Sequence, residues 1–163
     1  MDMVTVVSKS GMMTREFERE EWNKAMIAAG TAERGCGQTI EDKAVELICT
    51  AKSLRYDREK RLAELIPPSE NEIVAEARNA TRLQYISEWL AEHSRYSDTL
   101  SRAMSGRIMS EGVAHEYSSA ASEAESRIQS EGIIRFSAKD TEAGREAEYL
   151  SYMLGKPLPE WCR

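Results

Sequence analysis

Two stretches of helical periodicity meet at Pro67-Pro68, and this junction constrains the fold more than any other feature. A proline pair lacks backbone donors and disfavours helical geometry in the residue before it, so one helix must stop there. Ser69 and Glu72 follow in the S-x-x-E spacing of a capping box, which starts the next helix at once. The first of the two helices has a similar start at Thr39 and Asp42. Its apolar positions Ala44, Ile48, Ala51, Leu54, Leu62 and Leu65 recur mostly at three or four residues. The second repeats the pattern through Ile73, Ala77, Ala80, Leu83, Ile86 and Leu90, so both read as amphipathic helices.

The flanks read the same way. Thr14 opens a segment with Glu16, Glu18, Glu20 and Glu21, which suits the positive end of a helix dipole. Trp22, Met26 and Ala29 then follow at helical spacing, and Gly30 is a stop. Before it, residues 1–13 form an N-terminal arm or a short strand, with Val4 to Val7 its β-branched run. Ten serines between Ser94 and Ser130, many four apart, predict a small-residue face and a tight helical hairpin.

A heptad also recurs: Arg107-Ile108-Met109-Ser110-Glu111-Gly112-Val113 returns as Arg127-Ile128-Gln129-Ser130-Glu131-Gly132-Ile133. Read as a helix terminator used twice, each copy places its glycine just past a helix end, with an apolar contact around it. One helix then ends near Glu111 and another spans about 115–131. Alanine at either glycine should cost roughly 1 kcal/mol. Ile133, Ile134 and Phe136 form a packed connection. A last helix begins at Ser137 to Asp140, has Ala143, Ala147, Leu150, Met153 and Leu154 as its inner face, and stops at Gly155. Residues 156–163 are an extended C-terminal tail that either folds Leu158 and Trp161 back on the core or stands out as a docking segment.

The expectation is an all-α fold, a single-domain helical bundle of five or six helices over 1–163, with a short extended N-terminal element. A chain of 163 residues buries enough surface to need neither disulfide nor structural metal.

Function is constrained mainly by exclusion. With 22 Lys and Arg against 28 Asp and Glu, the net charge of −6 argues against a general phosphate-backbone binder. Cys36, Cys49 and Cys162 share no metal-ligand spacing and their odd number gives no disulfide framework. A reducing, cytoplasmic setting follows, without a secretory signal at Met1 to Val7. No apolar run reaches the length of a membrane span.

His93 and His115 are the only histidines, and neither belongs to a Glu-x-x-His pair or a His-Glu-x-x-His motif. Gly35-Cys36-Gly37-Gln38-Thr39 lacks the lysine of a phosphate loop. No serine has a nucleophile-elbow frame. No catalytic residue, metal site or cofactor is therefore expected.

What remains is surface. Residues 108–155 hold four basic and nine acidic side chains, which suits a protein partner with a basic surface. Glu142, Glu146, Glu148, Tyr149, Tyr152 and Trp161 are the candidate contacts. The reading is a non-enzymatic accessory factor or inhibitor, of the kind mobile elements encode, that occupies a surface of a larger, nucleic-acid-handling partner. The rival is a helical transcription regulator with a helix-turn-helix-like element over 52–82, contacting DNA through Lys52, Arg55, Arg58, Arg61, Arg78 and Arg82. Acidic Glu70 and Glu72 at the start of its recognition helix oppose that role. Small-residue helix faces also permit a homodimer.

Overall fold

The computed structural model describes residues 2–8, 11–96, 98–107 and 110–163. Among them are two strands, β1 (Met3–Val7) and β2 (Thr14–Glu18), and six α-helices. The helices are α1 (Arg19–Thr31), α2 (Ile40–Glu64), α3 (Glu70–His93), α4 (Thr99–Met104), α5 (Glu111–Glu131) and α6 (Glu142–Leu154), with 3-10 turns at Ala138–Asp140 and Glu160–Cys162. The class is all-α with an N-terminal β-hairpin. Packing divides the chain into two units, Met1–Glu64 and Leu65–Arg163.

In the first unit, β1 and β2 pair antiparallel with Val4 opposite Phe17 and Thr5 opposite Glu16. The acidic segment from Thr14 to Glu18 is therefore strand, where a helix start was expected. Alternation decides it. On β1, Val4 and Val6 are half-buried between exposed Met3, Thr5 and Val7, a period of two that no helix satisfies, and on β2 Phe17, opposite Val4, is buried with them while its neighbours stay exposed. Only Glu20 and Glu21 lie in the first turn of α1.

The stop at Gly30 also fails: α1 continues to Thr31, and extended Ala32 caps it, donating its N–H to Ala28. The α2 start holds, because Thr39 N–H donates to Asp42 Oδ2 and Asp42 N–H donates to Thr39 Oγ1, both at 3.1 Å. Phe17, Ala25, Ala29, Ala44 and Ile48 form the core. Ala51 and Leu54, expected on the inner face, are exposed. At about 1.5 Å per residue, α2 outruns the 13-residue α1 by well over a turn, so its second half lacks α1 as cover.

In the second unit, the Ser69–Glu72 capping box is formed in both directions. Helices α3 and α5 pack antiparallel: Ile134 N–H donates to Thr81 Oγ1 at one end, and Ser94 Oγ donates to Glu116 at the other. Tyr85, Ile86, Leu90, Ala120, Ala124 and Ile128 form this core. The close approach is made by alanines. Ser118, Ser122, Ser126 and Ser130 face solvent, Leu83 is 40% exposed, and Ser97 lies outside the described residues.

The repeated heptad is not one device used twice. Gly112 lies in the first turn of α5, which Ser110 caps by accepting from Val113 N–H, so no helix ends at Glu111. Ile108, the apolar partner assigned to Val113, lies outside the described residues. Gly132 does follow the end of α5, at φ 83° and ψ −171°, a positive φ outside the left-handed helical well. Asp98, at φ 60°, turns the chain into α4.

Candidate functional site

Helix α6 is launched in two steps, where one start at Ser137 to Asp140 was expected. Ser137 N–H and Oγ both donate to Asp140 Oδ2, closing the 3-10 turn. Thr141 then caps the helix, its Oγ1 accepting from Gly144 N–H at 3.1 Å. A Cβ at Gly144 would collide with the backbone of Ala138 and Lys139, so this position seats α6 directly on the turn. Gly155, left-handed at φ 63°, ends the helix as expected.

The inner face of α6 is Gly144, Ala147, Leu150, Ser151 and Leu154. It is rotated from the expected stripe, which leaves Met153 43% exposed. The rotation follows from Gly144, where the backbone sits too close to the turn for a side chain, with small, buried Ser151 on the same face.

On a 3.6-residue helix, the opposite face then carries Glu142, Arg145, Tyr149, Tyr152 and Met153. Tyr149 is 55% exposed and Tyr152 83%, so both rings project into solvent. Glu148 is exposed at one border of this face, and half-buried Glu146, itself engaged in an interaction, lies at the other. Trp161 does not share the face as an exposed ring. It is half-buried in the Glu160–Cys162 turn, next to Cys162, which is 3% exposed and whose Sγ donates to the Gly144 carbonyl of α6 at 3.5 Å. The tail is thus folded back.

Beside α6 lies an open cleft of about 630 Å³, lined by Phe136, Lys139, Asp140, Arg145, Glu148, Leu158, Cys162 and Arg163. Burial, and then the Glu148 charge, push the Cys162 thiol up, so it stays protonated at neutral pH and is a poor nucleophile. Cys36 and Cys49 are exposed, and Cys49 Sγ accepts from Arg15 Nη1 at 2.8 Å. His93 stacks on Trp89 at 4.6 Å, and His115 is exposed. Among the described residues, no three His, Cys, Asp or Glu side chains converge as metal ligands.

The basic residues of the rival reading are mostly engaged with carboxylates. Lys52 pairs with Glu21 at 3.2 Å and lies over the Phe17 ring. Arg55 pairs with Glu59, and Arg78 and Arg82 both reach Glu125 of α5. Arg61 also has a partner, and Arg58 is half-buried. Lys52 to Arg61 belong to the first unit, Arg78 and Arg82 to the second. Sequence spacing shows the Arg55–Glu59 pair, four residues apart, but not the pairs with Glu125, which lies 47 residues from Arg78. Among the described residues, no helix is long and apolar enough to cross a membrane. Comparison with known proteins finds no matching family model, no similar curated protein and no similar solved structure.

Proposed function

We propose that this chain is a non-enzymatic binding protein that docks the outward face of α6 on a larger protein with a basic surface, as an accessory factor or inhibitor does. The observation that carries the reading is the stripe of Tyr149, Tyr152 and Met153, exposed on one helix face with Glu142 on it and Glu148 at its border. Two rigid aromatic rings offer large contact area for little lost side-chain freedom. Glutamates around them would steer a cationic partner and hold its register. Such a partner would include one whose basic surface otherwise holds nucleic acid.

The test is capture of partners from host lysate by the tagged chain, with and without nuclease, set against two variants. The expected result is a stoichiometric protein that survives nuclease and is lost in the Tyr149→Ser/Tyr152→Ser variant. In Glu142→Lys/Glu148→Lys it should bind about tenfold or more weaker and with less salt dependence. Capture indifferent to both variants overturns the reading. A catch that vanishes with nuclease also overturns it and moves attention to residues 52–82.

A further inference from the structure

Among the described residues, strand β1 pairs with β2 alone and leaves one edge open, and the hydrogen bonds at the hairpin's two ends show which residues line that edge. Arg19 N–H donates to the Asp2 carbonyl at 2.9 Å, and Ser8 N–H donates to the Met13 carbonyl at 2.8 Å. Both pairs share the register that sets Val4 against Phe17 and Val6 against Arg15. In an antiparallel ladder, hydrogen-bonded and non-hydrogen-bonded pairs alternate, so positions 2, 4, 6 and 8 spend their backbone groups on β2. The N–H and C=O groups of Met3, Thr5 and Val7 therefore point away from it. All three residues are exposed.

Natural sheets guard such an edge with charge, proline or a bulge. Met3-Val4-Thr5-Val6-Val7 has none of these: it is uncharged, lacks proline and runs in unbroken register. It is also close to a palindrome about Thr5. Turned on a two-fold axis through Thr5, the strand sets Thr5 against Thr5 of a second copy, Val4 against Val6 and Met3 against Val7. Each facing pair then matches in chemistry, and the inward Val4 and Val6 remain on one face, as a buried face requires of the register. We propose that β1 pairs with β1 of a second copy of this chain. The product is a continuous four-stranded sheet in the order β2, β1, β1, β2. A self-complementary edge meets the condition for a two-fold interface, and up to about six new backbone hydrogen bonds would satisfy the open groups.

A five-residue seam buries less than the roughly 1,200–2,000 Å² of a stable interface, so association should depend on concentration. The test is sedimentation of the full chain up to about 1 mM, with amide exchange read residue by residue. On association the amides of Met3, Thr5 and Val7 should slow, whereas those of Val4 and Val6 are protected throughout and report that the hairpin is intact. Thr5→Lys and Thr5→Glu each place like charges on the axis and should weaken association about tenfold or more; mixing the two should restore it. A chain that stays monomeric to about 1 mM overturns the pairing and leaves the edge to an extended segment of another protein. A dimer that persists in Thr5→Lys, or a mixture that stays monomeric, overturns it as well.

Discussion

The two helix pairs, α1 with α2 and α3 with α5, follow the same three-and-four spacing in sequence and bury very different amounts of it. Helix α2 has 25 residues and buries Ala44 and Ile48. Helix α3 has 24 and buries Ala77, Thr81, Tyr85, Ile86 and Leu90. The difference lies in the partners: α1 has 13 residues and α5 has 21. A helix face is buried only as far as something lies against it. Periodicity marks the face, and the length of the neighbour decides how much becomes core.

The sharpest way to break this comparison is a pair of truncations at matched positions. Ile86 is fully buried between α3 and α5, so Ile86→Ala should lose about 2–5 kcal/mol through lost transfer energy and the cavity left behind. Leu54 sits at equivalent spacing on α2 but is 49% exposed, and Leu54→Ala should stay within about 0.5 kcal/mol. Denaturant unfolding of both variants measures the difference. Equal losses would mean that the second half of α2 is covered in solution.

A second experiment sharpens what holds α3 to α5 at their joined end. Glu116, 9% exposed, accepts from Ser94 Oγ at 2.6 Å and from Arg95 N–H at 2.8 Å. Ser94, and then the Arg95 backbone, hold its carboxyl below the ordinary value of 4.5. A group whose folded pKa is depressed stabilises the fold above its unfolded pKa, and the contribution is lost as pH falls through the folded value. Wild type should therefore lose thermal stability on the acid side of 4.5. Glu116→Gln, which cannot ionise, should start lower at pH 7 and show a shallower acid limb. Other lowered carboxylates such as Glu88 and Asp140 are common to both proteins, so the difference in slope isolates Glu116. Parallel melting curves across the range would remove it as a pH-linked anchor.

Local chemistry carried most of the helix boundaries that could be read from sequence. Both capping boxes, the proline stop and Gly155 involve residues within a few positions of one another, and each stands as expected. Several of the expectations that failed needed a distant partner. Phe17 belongs to a strand because Val4 is across from it, and the serines face outward because alanines three or four residues apart on α5 fill the seam. On α6 the projection of Tyr149 and Tyr152 follows from helical spacing, whereas the exposure of Met153 follows from Gly144 resting on the Ala138–Asp140 turn. That contact had a sequence signal, a glycine three residues after a threonine cap, but nothing local said what would fill the space.

The repeated heptad gives the finest comparison, because one sequence serves opposite ends of α5. Gly132 has φ 83° with ψ −171°, a region nearly closed to side chains, so Gly132→Ala should cost about 1–3 kcal/mol. Gly112 has helical geometry in the first turn, where alanine is favoured over glycine by about 0.5–1 kcal/mol. Against that gain, its new Cβ would meet the hydroxyl end of the Tyr96 side chain, which is 43% exposed and has solvent to move into. The two effects oppose each other, and Gly112→Ala should unfold within about 0.5 kcal/mol of wild type. Five of the seven residues are identical, with Val113 matched by Ile133, so a gap between the two melting points measures mainly backbone conformation rather than composition. Equal destabilisation would restore the glycine-terminated helix end at Glu111 and shift the start of α5 downstream.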